Sequence, residues 1–330
     1  MSAKVKAFVI NYTKATLLAG EQLSGQVILD LIKPLKAESI SLLIFGSTES
    51  VWYENTYSGN NDAIKYSSEE VYLNSETVLW QAASAKSAGV IDEGLHQFFF
   101  SIDIPENAAS RFNHRKATVV YYSKCKIERR GMWKSSIKTA APFCVVTRLD
   151  LNRPDLGVLP VPKVYRETDE IGITLEVTLP RTGFLPGERI QLKAVIRNES
   201  TYRAKELDTT LLQCLLIRAQ KRGLSYKDYT ERYYEEKLAN FPNELEKSAP
   251  HRYQEINFEI QLPGVVPTLT TCPILEIKYL LRFKLDISGW GIEPVKLFVP
   301  LLLGSIPLKG VPDGLQFPVI DPCAPEIGWD

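Results

Sequence analysis

The chain has 330 residues, of which 45% are hydrophobic and 24% charged, which is ordinary globular material with length for about two domains. Lys+Arg and Asp+Glu stand at 39 each, so the net charge is +0, and the basic excess of a dedicated nucleic-acid binder is missing. No apolar run suits a signal peptide or a membrane span, and five cysteines without paired spacing fit a reducing cytosol better than a secreted disulfide framework.

In chain order, Lys4–Ile10 reads as a short strand, followed by strands at Leu23–Leu31 and Ser39–Phe45. The region from Gly46 to Gly94 reads as a long hairpin with Val71–Trp80 as its best strand, and the Ala/Ser-rich Gln81–Gly89 as a loop. Strands are expected next at Leu95–Ile104 and Ala117–Arg129, and Thr139–Arg148 closes the first unit. Leu149–Lys163 contains three prolines, which restrict their own φ and the residue before, so a semi-rigid linker is expected there, limiting rotation between the units. Ile171–Leu179 alternates cleanly, and Arg189–Asn198 follows Pro186-Gly187 as a half-buried strand entered from a tight turn. Asn198-Glu-Ser200 matches a glycosylation sequon, read here as chance. Leu207–Ile217 is a further strand. Lys221–Pro250 is polar and aromatic; Asp228–Leu238 fits a short helix or one arm of a long hairpin, and the hairpin is favoured. Strands at Gln254–Leu262, Glu276–Ile287 and Glu293–Leu303 finish the core, and five prolines after Gly304 predict an irregular tail.

The chain also repeats itself. Gly20-Glu21 and Gly187-Glu188 each introduce an alternating strand, 187 − 20 = 167 residues apart, and Ala37 and Ala204 keep that offset. Phe98, Phe100 and Ile102 alternate up to Ile104-Pro105, as Ile256, Phe258 and Ile260 do up to Leu262-Pro263, now with 263 − 105 = 158. Val119, Tyr121, Ser123, Cys125 and Ile127 match Ile277, Tyr279, Leu281, Phe283 and Leu285 at the same 158. One loop differing by nine residues explains the step (167 − 158). The fold class implied is all-β, with two antiparallel β-sandwiches in tandem and immunoglobulin-like character.

Catalytic chemistry is sparse. His96, His114 and His251 have no second metal-type ligand at a familiar spacing, and no phosphate-cradling glycine loop or nucleophile elbow occurs. Cys125 lies on the apolar face of its strand as a core thiol, and Cys144, Cys214 and Cys272 are read the same way. No enzyme activity, metal or cofactor is expected. One charged set stands out. Arg111, His114, Arg115 and Lys116 precede a strand from which Lys124 and Lys126 alternate outward, followed by Arg129 and Arg130, and Lys4 and Lys6 alternate outward on the first strand. If these strands share a sheet, they form a basic face for phosphorylated or acidic segments; otherwise they are ordinary solvated lysines.

Together these elements resemble the arrestin family, specifically its alpha-arrestin or arrestin-domain-containing branch, over roughly Lys4 to Leu308. The likeness rests on the Gly20-Glu21 and Phe184-Leu-Pro-Gly-Glu-Arg-Ile190 runs, Ile196-Arg-Asn-Glu-Ser200, Gly94-Leu-His-Gln-Phe-Phe-Phe to Ile104-Pro105, Leu149-Asp-Leu-Asn152 with Pro154, and Pro300-Leu-Leu-Leu-Gly-Ser-Ile-Pro-Leu308. It implies an arrestin-like N domain over residues 1–148, a proline-containing linker over 149–166, a C domain over 167–306 and a proline-rich tail over 307–330. It further implies a non-catalytic cytoplasmic adaptor that binds cytoplasmic segments of membrane proteins or receptors. Such an adaptor links them to trafficking proteins or ubiquitin machinery, with recruitment to the plasma membrane or endosomes. No Pro-Pro-x-Tyr occurs in the sequence, which leaves direct recruitment of WW-domain ligases without its motif. Curved sheets would present rigid surfaces and exposed edge strands to extended peptides. Two alternatives remain: a structural subunit of an endosomal sorting coat, and a small-ligand or carbohydrate-binding β-sandwich.

Overall fold

The computed structural model describes residues 4–55, 63–83, 89–129, 135–221, 229–245 and 252–310. The chain passes from a first compact unit to a second between Thr147 and Arg148. Strands of the first run at Val5–Tyr12 (β1), Thr16–Leu18 (β2), Gln22–Leu31 (β3), Leu35–Ala37 (β4), Ser39–Asn55 (β5), Ala63–Gln81 (β6), Gly89–Ile91 (β7), Gly94–Asp103 (β8), Phe112–His114 (β9), Ala117–Glu128 (β10), Ile137–Pro142 (β11) and Cys144–Val146 (β12). From Lys163 onward come Lys163–Thr168 (β13), Ile173–Leu179 (β14), Gly183–Phe184 (β15), Arg189–Asn198 (β16), Ala204–Lys221 (β17), Tyr229–Glu244 (β18), Tyr253–Gln261 (β19), Leu275–Ile287 (β20) and Val295–Leu303 (β21). Among the described residues the only helical turn is the 3-10 turn Pro154–Leu156. The fold is all-β, with two sandwiches in tandem.

In the first unit a sheet ordered β1-β3-β8 faces one ordered β11-β10-β5-β6; in the second, β13-β14-β16-β19 faces β17-β20-β21-β15, with β18 beside β17. Period-two alternation builds each core. Leu23, Val27, Leu29 and Leu31 of β3 are buried opposite Val119, Tyr121, Ser123, Cys125 and Ile127 of β10. Ile173, Leu175, Val177 and Leu179 of β14 are buried opposite Ile277, Tyr279, Leu281, Phe283 and Leu285 of β20.

The repeat is one structure built twice. Gly20 and Gly187 both adopt the left-handed region, at φ 86 and φ 80, where glycine carries no Cβ penalty. In each turn the glutamate carboxylate accepts a backbone N–H three residues upstream, Leu18 N–H to Glu21 Oε2 and Leu185 N–H to Glu188 Oε2, both at 2.9 Å. Each glutamate carbonyl then accepts the N–H of Ile104 or Leu262, again both at 2.9 Å. Even a rare parallel pairing recurs: β2 lies beside β12 with Leu17 opposite Val145, and β15 beside β21 with Phe184 opposite Leu303.

Several readings of the sequence change. β5 and β6 run to Asn55 and from Ala63, a far longer hairpin arm than Ser39–Phe45 and Val71–Trp80. Tyr229–Glu244 is strand, which settles the helix-or-hairpin choice for the described part of Lys221–Pro250. The expected linker is substantially built into the second unit. Leu149 N–H donates to Ser305 Oγ at 2.8 Å, Leu151 is 1% exposed, and Asn152 Nδ2 donates to the Pro307 carbonyl at 2.8 Å. Lys309 N–H returns a bond to Asn152 Oδ1 at 2.8 Å, so the described start of the proline-rich tail is pinned in place. β13, expected as linker, pairs with β14 from Lys163 opposite Leu179 to Thr168 opposite Thr174. Asn198 of the sequon is 4% exposed, its Oδ1 accepting Ser200 N–H and its Nδ2 donating to the Tyr202 carbonyl, so it is a turn residue. Arg130 and His251 lie outside the described residues. Cys144 is disulfide-bonded, which corrects its reading as a core thiol. An odd count without paired spacing does not say which cysteines can meet in space.

A candidate anion-binding cleft

The basic residues singled out above do not converge. β1 and β10 belong to opposing sheets of the first unit, so Lys4 and Lys6 share no face with Lys124 and Lys126. The single basic face expected across β1 and β10 is therefore not formed. Arg111, Arg115 and Lys116 sit around β9 and the turn into Ala117; β9 runs back along β10 with Phe112 opposite Val119, so the three stand about 20–30 Å along the strand from Lys126. Alternation along β10 does carry Lys124 and Lys126 outward, where Lys126 stands opposite Lys138 of β11. Two members are already engaged. Lys6 Nζ lies 2.8 Å from Asp30 Oδ2, and that hydrogen bond raises the Lys6 pKa; Lys126 Nζ lies 2.5 Å from Glu128 Oε2. His114 is buried, and its Nδ1 accepts Lys116 N–H at 3.3 Å, a local turn contact.

A different grouping forms at the end of the first unit where β1 begins and β10 ends. Lys4, Lys33, Lys36 and Arg129 line a cleft of about 440 Å³ with Pro34, Leu35 and Val90, and among the described residues no carboxylate lines it. Local structure explains each placement. β4 is three residues long: Leu35 and Ala37 are buried and Lys36 points out between them, opposite Val90 of β7. Lys4 Nζ donates to the Pro34 carbonyl at 2.8 Å, and Ile32 N–H donates to the Lys4 carbonyl at 3.0 Å, which holds the Lys33-Pro34 corner beside β1. Arg129 follows β10, with its Nε donating to the Ser135 carbonyl at 2.9 Å. The result is two lysine ammonium groups flanking an apolar floor, with a third lysine and a guanidinium fixed on backbone carbonyls. Such an array attracts compact multivalent anions, above all phosphate oxygens, through charge-assisted bonds.

Of the residues named from sequence, Lys4 and Arg129 line this cleft. Lys33 and Lys36 were missed because they flank the Pro34 corner and a three-residue strand, where no alternation is long enough to read. The one usable local signal was Leu35-Lys36-Ala37, an in-out-in alternation too short to stand out.

A family model described as "Arrestin (or S-antigen), N-terminal domain" matches residues 7–152, and one described as "Arrestin (or S-antigen), C-terminal domain" matches residues 172–308. Arrestin domain-containing protein 4 from Mus musculus is 24% identical over 313 residues, covering 90% of this chain and 71% of that protein. Arrestin domain-containing protein 17 from Caenorhabditis elegans is 23% identical over 322 residues, covering 91% and 70%. Thioredoxin-interacting protein from Homo sapiens is 21% identical over 316 residues, covering 92% and 76%.

Proposed function

The chain belongs to the arrestin family, carrying both of its domains in order, and from that premise we propose a non-catalytic adaptor for cytoplasmic segments of membrane proteins or receptors. The adaptor holds an acidic or phosphorylated segment on its first unit and couples it to trafficking proteins. Its place of work is the cytoplasm, with recruitment to the plasma membrane or endosomes. Among the described residues no helix is long and apolar enough to cross a membrane, so on this reading membrane proteins are met as partners.

The observation that carries this reading is the cleft of Lys4, Lys33, Lys36 and Arg129, with no acid in its lining among the described residues. Backbone carbonyls hold Lys4 and Arg129 in advance, so only Lys33 and Lys36 remain to be ordered on binding. The test is a titration of the full chain with a peptide carrying three phosphoserines. Lys33→Glu with Lys36→Glu should weaken binding by roughly tenfold or more, with the melting temperature within about 2 °C of the parent. Lys124→Glu with Lys126→Glu, on the other sheet's outer face, should change it less. The reverse ranking, or no effect from either pair, removes the cleft as the site. Pull-down partners from cells then separate a cargo adaptor from a coat subunit.

A further inference from the structure

β8 and β19 occupy equivalent positions, each the last strand of its unit's smaller sheet. An exposed sheet edge offers unpaired N–H and C=O groups to any passing strand, and proteins usually blunt it with charge, proline or a bulge. β19 is blunted. Its outward residues Glu255 and Glu259 pair with Lys193 at 2.8 Å and Arg189 at 3.4 Å, and Tyr253 lies under Arg197. β8 is not. Its register with β3 is unbroken from Gly94 opposite Leu31 to Asp103 opposite Gln22. It contains no Pro, Lys or Arg, and the outward Leu95 and Phe99 are 62% and 76% exposed. The inward Phe98, Phe100 and Ile102 are half-buried, as Ile256 and Phe258 of β19 are, but Ile260, the counterpart of Ile102, is fully buried. Among the described residues β8 pairs with β3 alone.

We infer that the free edge of β8 is a strand-addition site for an extended partner segment whose apolar residues are flanked by Lys or Arg. Main-chain bonds would join the incoming strand to β8, and its alternate side chains would cover Phe99 and Leu95 on one face and Phe98, Phe100 and Ile102 on the other. The charge pattern selects the occupant. Residues 92–106 carry four carboxylates, Asp92, Glu93, Asp103 and Glu106, and no lysine or arginine. Two copies of β8 paired antiparallel would bring Asp103 and Glu106 of one toward Asp92 and Glu93 of the other, and an anionic membrane would meet the same repulsion. A basic-flanked strand meets attraction at both ends. This site is independent of the anion cleft and favours partners of opposite charge.

The probe is a fluorescent peptide Lys-Lys-Val-Tyr-Val-Phe-Val-Lys-Lys titrated into the full chain. Saturable binding is expected, with slowed amide exchange across residues 94–103. Phe99→Lys and, separately, Leu95→Lys should each weaken it roughly tenfold at unchanged melting temperature, both positions being exposed. Replacing the peptide's Phe by Pro should abolish it, and Glu in place of its Lys should weaken it. Binding insensitive to both protein substitutions, or absent at millimolar peptide, overturns the proposal. So would self-association lost on Phe99→Lys, which assigns the edge to a second copy. Flotation with phosphatidylserine vesicles lost on the same change would likewise assign it to a lipid surface.

Discussion

The two glycine–glutamate turns share a backbone and differ in the cation that faces them. Glu21 meets Lys14 Nζ at 2.8 Å, with side chains 34% and 60% exposed. Glu188 meets Arg181 with side chains 9% and 14% exposed, and the guanidinium also lies over the Phe184 ring at 4.6 Å and donates from Nε to the Gly183 carbonyl at 2.9 Å. Burial lowers the Arg181 pKa, the mark of a cation whose water has been stripped away. The same turn is thus a solvated surface bend in one unit and a desolvated ionic junction in the other. What a residue contributes depends on the dielectric around it, although the geometry it enforces is identical.

The largest expected effect breaks the buried copy. Glu188→Ala leaves Arg181 charged without its carboxylate and Leu185 N–H without its acceptor, at a cost of about 3–5 kcal/mol. Glu21→Ala removes the matching Leu18 cap and a screened pair, at about 1 kcal/mol. Scanning calorimetry of both variants checks the ranking; equal losses would mean that the backbone cap, and not burial of the pair, dominates.

The paired tyrosines sharpen the same contrast at smaller scale. Tyr121 Oη donates to the Ala109 carbonyl and Tyr279 Oη to the Val266 carbonyl, both at 2.7 Å, but Tyr279 also accepts from Gln213 Nε2 at 3.0 Å. Burial raises the Tyr279 pKa beyond the working range, so the phenol stays protonated and the donor role is secure. Tyr279→Phe orphans two partners and should cost about 2 kcal/mol, against about 1 kcal/mol for Tyr121→Phe. Urea unfolding of the two variants measures the difference.

These twin positions also mark what was legible in the sequence. Strict alternation in β3, β10, β14 and β20, with glycine turns at a fixed offset, dictated the all-β repeat, because a one-residue slip would expose a whole core face. β13 was hidden because nearly all of it is exposed and it follows three prolines, so no alternation survives to be read. Tyr229–Glu244 was ambiguous because charged and aromatic residues there fit two periods. The anion cleft was the least legible part. Period two says that Lys6 and Lys126 point outward; it cannot say that Asp30 and Glu128 already hold them, or that Lys33, Lys36 and Arg129 meet in space.

The smallest effect tests the exposed copy from its cation. Lys14→Ala removes the partner of Glu21 and leaves the Leu18 cap, because Glu21 Oε2 accepts both. Water replaces the ammonium at little cost, so the loss should stay below about 1 kcal/mol. That residue of stability should also vanish in salt, since at 1 M the screening length shrinks to about 3 Å, comparable to the pair's own separation. The parent and Lys14→Ala should therefore melt together at high salt and apart at low salt. Glu188→Ala should stay separated from the parent at both, since ions do not reach a pair closed off from solvent. A salt-independent gap for Lys14→Ala would mean that its aliphatic stem packs against the first unit, making the two turns more alike than their charges suggest.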